Sequence, residues 1–136
     1  MSDGEGSITS IYTVLLEFEA GDDPIVEVAR SSLDGQIMLS REMADAGIYP
    51  AVNLKGSISR LSQRVVDKNL TDLARDFRRL WTKFEQNRDL IMVGAYESGS
   101  DEELDRAIRM RKEMESFIEQ DLSVGCSLSS SMEQLD

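Results

Sequence analysis

The stretch TDLARDFRRLWTKFEQNRDLIMVG, which begins at Thr71, places Leu73, Phe77, Leu80, Trp81 and Phe84 at offsets 0, 4, 7, 8 and 11. Residues three and four apart share a helix face, so these five form one apolar stripe, with Arg and Asp opposite. A stripe of that length must be buried against a partner. GSDEELDRAIRMRKEMESFIEQ offers one: Ser100 and Glu103 stand in capping-box spacing, and Leu104, Ala107, Ile108, Met114, Phe117 and Ile118 make its apolar side. Two such helices around a GAYESG loop predict a small helical bundle over residues 65–122, with Trp81 in its core. The serine-rich stretch LSVGCSLSSSMEQLD follows; residues 123–136 read as a mobile tail in which SSMEQLD forms a last short helix.

Residues 1–64 have a different rhythm. ITSIYTVLLEFE is rich in β-branched and aromatic residues and predicts a mostly buried strand. AGDDP reads as a turn, with Asp23 as helix cap and Pro24 at the first helical position. A helix of about ten residues through IVEVARSSLD gives way at Gly35 to a short strand, QIMLSR, and REMADAG reads as a helix closed by Gly47. Strand, helix, strand and helix in turn suit an α/β core, but one too short to be complete. The expected class is α/β plus α.

The first zone ends on GIYPAVNLKGSISRL, from Gly47 to Leu61. Pro50 biases Tyr49 away from the helical region, toward an extended turn, where its ring either covers a flat ligand or plugs a core. Composition narrows the chemistry. The chain has no histidine, which removes His-based acid/base catalysis, Ser-His triads and most zinc sites. Its formal charge of −11 opposes sequence-independent binding to nucleic acid. No run approaches the roughly 20 apolar residues of a membrane span. The start, MSDGEGSITS, does not read as a secretory signal. The single cysteine, Cys126, has no basic neighbour and reads as an inert thiol in a reducing compartment. These features predict a soluble, cytoplasmic protein.

Acidic residues crowd at Asp22 and Asp23, and again at Asp101, Glu102, Glu103 and Asp105. Both groups fall at expected helix starts, where carboxylates are favoured, so they are read as caps and no metal site is assigned. A phosphate-gripping loop needs a glycine-rich turn ending Gly-Lys-Ser/Thr, and none of Lys55, Lys68, Lys83 or Lys112 follows a glycine. This chain alone is therefore expected to bind no nucleotide tightly.

Several stretches together resemble the carboxy-terminal part of the ATPases that drive type III secretion and flagellar export, relatives of the rotary ATP synthase catalytic subunit. They are GEGSITSIYTVLLE, DPIVEVARSSLDGQIMLSRE, GIYPAV, SISRL, VGAYESGSDEELDRAI and FIEQDL, in the family's order and with nearly its spacing. The resemblance implies that residues 1–64 are the last portion of a RecA-like nucleotide-binding core, followed by the helical domain. It implies that Tyr49, with Pro50, lies against the adenine of the nucleotide held by its own subunit. It implies that Arg60 is an arginine finger for the nucleotide of the neighbouring subunit. The intact enzyme would use ATP and Mg2+ as a homohexamer. It would sit at the bacterial inner membrane and meet chaperone–substrate complexes and stalk or export-gate proteins. The sequence departs from the family at Ile48, where His is usual, at Asn53, where Asp is usual, and at Lys55-Gly56, which replaces a small apolar pair. Two rival readings stand beside this one: a non-catalytic interaction module, and a fragment of a vacuolar-type ATPase nucleotide-binding subunit, which GQIMLSRE and GIYPAV also resemble.

Overall fold

The computed structural model describes residue 6, residues 8–15 and residues 24–135. It divides into two compact units, one ending at Leu33 and one starting at Asp34. In the first, helix α1 spans Pro24–Ser32, with proline at the first helical position, where a missing N–H breaks no helical bond. Its expected cap, Asp23, lies outside the described residues. The Ser31 and Ser32 hydroxyls donate back to the Val28 carbonyl at 2.8 and 3.0 Å, a local alternative that accompanies the helix end.

The strand expected over ITSIYTVLLEFE does not form where it is described. Residues 8–15 carry no regular structure, and Ile8, Ile11, Tyr12, Val14 and Leu15 are exposed, Ile8 at 95%. Residues 16–19 lie outside the described residues. Strands are stabilised by their neighbours in a sheet, and among the described residues none pairs with this one.

The second unit opens with β1, Gly35–Gln36, which pairs antiparallel with β2, Ile58–Ser59, in the register Gly35 opposite Ser59 and Gln36 opposite Ile58. A Cβ at Gly35 would sit 2.8 Å from the Ile58 carbonyl oxygen, so only glycine allows this approach. The expected strand QIMLSR is cut short. Beyond Gln36 only a single bridge, Leu39 to Val52, continues the pairing. Helix α2, Arg41–Asp45, is capped by Ser40, whose side chain accepts from the Met43 N–H, and Gly47 (φ 79°) follows it in the left-handed conformation expected of a helix stop.

A short α3, Ser62–Val65, leads into α4, Lys68–Met92. α4 starts before Thr71 because Asp67 accepts from the Leu70 N–H at 2.9 Å. Helix α5 spans Glu102–Ile118 and is capped by Asp101, not Ser100: the Asp101 carboxylate accepts from the Leu104 N–H at 3.0 Å. Its pairing with Lys83 at 2.7 Å holds that carboxyl below the ordinary aspartate range. Glu103 reaches across to Arg79 instead of closing a capping box. Asp105 tethers the preceding loop by accepting from the Tyr96 hydroxyl at 2.9 Å and the Gly99 N–H at 2.8 Å. Helix α6, Leu128–Leu135, packs on both α4 and α5.

The core is the seam between α4 and α5. Leu80, Trp81, Ala107 and Met114 are buried there, with Phe77, Phe84, Met110 and Ile118 around them. Met43 and Leu54 pack on the same cluster, so the segment carrying Tyr49 is seated on the helical hairpin. Arg88 of α4 also pairs with Glu42 of α2 at 3.1 Å. Arg111 is the unexpected member: its guanidinium lies 4.0 Å from the Trp81 ring centre and 4.4 Å from that of Phe84. It also pairs with Glu115 at 2.8 Å and lies 3.0 Å from a Glu85 oxygen. Arg111→Ala is therefore expected to lower unfolding stability by about 1–2 kcal/mol, since the cation–π contact is partly desolvated. Arg111→Lys should recover only part of it, because an ammonium cannot stack as a plane. Denaturant melts of the three proteins check this; equal stability for wild type and alanine variant would contradict it.

Candidate functional site

Tyr49 follows the Gly47 turn and is fixed by its backbone on both sides. The Ile48 N–H donates to the Met43 carbonyl at 2.9 Å, and the Ser40 N–H donates to the Ala51 carbonyl at 2.8 Å. The Tyr49–Pro50 peptide bond is cis. The ring is not a core plug: Tyr49 is 51% exposed, and its hydroxyl makes a long 3.4 Å contact with the Ala44 carbonyl. Tyr49 and Pro50 line an open cavity of about 590 Å³, with Leu39, Ser40, Arg41 and Ala44 on the α2 side.

The remaining wall comes from beyond the end of α5, where Gln120, Asp121 and Leu122 face the same space. The Gln120 N–H donates to the Tyr49 carbonyl at 2.8 Å, which ties this wall to the tyrosine. Asp121 is held below the ordinary aspartate range by the hydroxyl and N–H of Ser123. Periodicity marked these residues only as a helix end. The sole sequence signal for them was FIEQDL, one of the stretches shared with the export ATPases. The cavity offers an aromatic face and a mostly apolar surface, with Ser40, Arg41, Gln120 and Asp121 as its polar lining, which suits a planar ring system.

Arg60 is elsewhere. It continues β2, its N–H donates to the Asp34 carbonyl at 2.8 Å, and its side chain is exposed and does not line the cavity. Tyr49 and Pro50 thus come together, and Arg60 stands apart from them. The Asn53 and Gly56 departures are accommodated: the Asn53 side-chain oxygen accepts from the Gly56 N–H at 2.9 Å, which a carboxylate could also do. Among the described residues, no group of His, Cys, Asp and Glu could hold a metal ion, and no helix is long and apolar enough to cross a membrane.

Residues 1–59 match the ATP synthase alpha/beta family, nucleotide-binding domain. Residues 66–136 match the T3SS EscN ATPase C-terminal domain, and the chain belongs to that family. Arg60 falls between the two matched regions. A "Flagellum-specific ATP synthase" of Helicobacter pylori (strain J99) is 42% identical over 98% of this chain and 31% of its own length. The assembled ATPase EscN from the enteropathogenic E. coli type III secretion system superposes with a TM-score of 0.91 at 39% identity, covering 96% of this chain and 32% of EscN. EscN in complex with its central stalk EscO gives 0.86 at 38% identity, covering 96% of this chain and 30% of that one. The chain spans about a third of the length of the curated relatives it matches.

Proposed function

We propose that this chain is the carboxy-terminal part of an ATPase that powers type III or flagellar protein export. In this reading residues 1–64 end a RecA-like nucleotide-binding core. Residues 65–122 form a helical domain that docks chaperone–substrate complexes or a stalk, and residues 123–136 form a tail that carries α6 back onto that domain. The intact enzyme works as a homohexamer in the cytoplasm, at the inner membrane. EscN is described in complex with a central stalk, which supports a stalk as partner here.

The observation that carries the reading is the Tyr49 cavity. An aromatic ring that a folded protein leaves half exposed, with proline beside it and a wall tied to its own carbonyl, is suited to lie against adenine. Arg60, exposed and outside that cavity, is suited to act on a different nucleotide, the one in the neighbouring subunit. A guanidinium offers a planar fork of donors to the charge that spreads over a transferring phosphoryl group. ATP and Mg2+ would be gripped by parts of the enzyme other than this chain, since no phosphate loop is present in its sequence.

Two outcomes are expected. The isolated chain shows no ATP turnover above a boiled control, alone or with a stalk protein. Steady turnover by a clean preparation would overturn this account of the missing phosphate grip. In the full-length enzyme, Tyr49→Ala weakens nucleotide binding by roughly 1–3 kcal/mol, the range of base–aromatic stacking. Titration with a fluorescent ATP analogue measures it. Unchanged affinity would return Tyr49 to a structural role and favour the interaction-module reading.

A further inference from the structure

Residues 34–40 pair with two different stretches of chain. At one end the Arg60 N–H donates to Asp34, and β1 pairs with β2. At the other end the Ser40 N–H donates to Ala51, the Asn53 N–H donates to Met38 at 2.8 Å, and Leu39 lies opposite Val52. Between these ends residues 53–57 turn away, and a side chain takes over the ladder. The Met38 N–H donates to the Ser57 hydroxyl at 2.9 Å, and that hydroxyl donates to the Asn53 carbonyl at 2.7 Å. Gln36 adds a second tie, its amide donating to the Gly56 carbonyl at 3.1 Å.

β2 needs such a device. It is two residues long, and both Ile58 and Ser59 are exposed, so burial of an apolar face does not set its register. A slip of one residue in a strand sends every side chain to the opposite face. Arg60, the next residue, would turn with it. We infer that Ser57 is a positioning residue for Arg60: its hydroxyl locks the register of β2 against residues 34–40 and so aims the guanidinium out of the subunit. This rests on the finger role proposed for Arg60. The same residues 34–40 also hold the Tyr49 side of the site, so the lock sets the adenine platform and the finger in one frame.

The test measures steady-state ATP turnover by the full-length enzyme in Ser57→Ala, Ser57→Thr and Arg60→Ala variants, beside melts and sizing of the assembly. Small displacements of a transition-state group are costly in rate. Ser57→Ala is therefore expected to lower kcat by about 10–100-fold with KM for ATP within about twofold of wild type. Ser57→Thr, which keeps the hydroxyl, restores kcat. A structural role alone would lower stability and raise KM without that selective rescue. Wild-type kcat in Ser57→Ala, or no rescue by threonine, while Arg60→Ala is inactive, overturns the positioning role and leaves the finger intact. Near-wild-type kcat in Arg60→Ala overturns the finger, and the positioning role with it. If Ser57→Ala does not assemble, Ser57→Cys carries the same test, because its thiol fills the space but accepts only weakly from the Met38 N–H. A lowered kcat at constant KM supports the lock, and unchanged kcat overturns it.

Discussion

Arg60→Ala in the full-length enzyme is expected to cut ATP turnover by about 10³–10⁵-fold, the range arginine fingers contribute to phosphoryl transfer. Folding and nucleotide affinity should stay close to wild type. Its side chain is exposed and outside the Tyr49 cavity, so its loss opens no void in the core and takes nothing from the adenine platform. On the proposed finger role, what it removes is stabilisation of charge that exists only in the transition state, and that appears in kcat rather than in binding. Arg60→Lys should not restore turnover, because a single ammonium lacks the planar fork. Turnover assays beside a binding titration and a thermal melt check the three parts together. A variant with turnover within tenfold of wild type would refute the assignment.

The second large effect concerns folding. Leu80→Asp is expected to unfold the α4–α5 hairpin outright. Leu80 is 1% exposed at the centre of the seam, and a carboxylate there is desolvated among Trp81, Ala107 and Met114. Leu80→Ala, which leaves only a cavity, should cost about 2–5 kcal/mol. Phe84→Asp should be milder than Leu80→Asp, since the Arg111 guanidinium lies 4.4 Å from the Phe84 ring and could pair with the new charge. The sequence stripe alone predicts equal damage at both positions. Arg78→Ala, on the exposed face, should change stability by no more than about 0.5 kcal/mol. Denaturant melts with helical circular dichroism order the four variants. Equal losses at Leu80 and Arg78 would mean that the helix phase is wrong.

The helical half was legible because its signals are local. The stripe from Leu73 to Phe84 repeats at the helical period, and its members Leu80 and Trp81 are buried as expected. Boundaries were less certain: Asp101 caps α5 in place of Ser100, since both residue types cap and only the folded geometry chooses between them. The α/β half was harder. ITSIYTVLLEFE carries the composition of a strand, but strand formation depends on partners that composition does not supply. QIMLSR shortened for a related reason, because the turn at residues 53–57 replaces backbone pairing with the Ser57 hydroxyl. Of the site, the motif around Tyr49 falls on the wall of the cavity, whereas the Gln120 wall is about seventy residues away in sequence and joins it only through the fold.

The central claim, that Arg60 completes a neighbour's site while Tyr49 serves its own, is tested most directly by mixing subunits. One full-length subunit carries Arg60→Ala, and the other lacks the lysine of its phosphate loop, so each parent hexamer is inactive. A mixed ring contains one type of interface at which an intact finger faces an intact phosphate loop. The account predicts that mixed hexamers regain a fraction of wild-type turnover that rises with the number of such interfaces. Mixed hexamers that assemble as well as either parent and yet recover no turnover would contradict it.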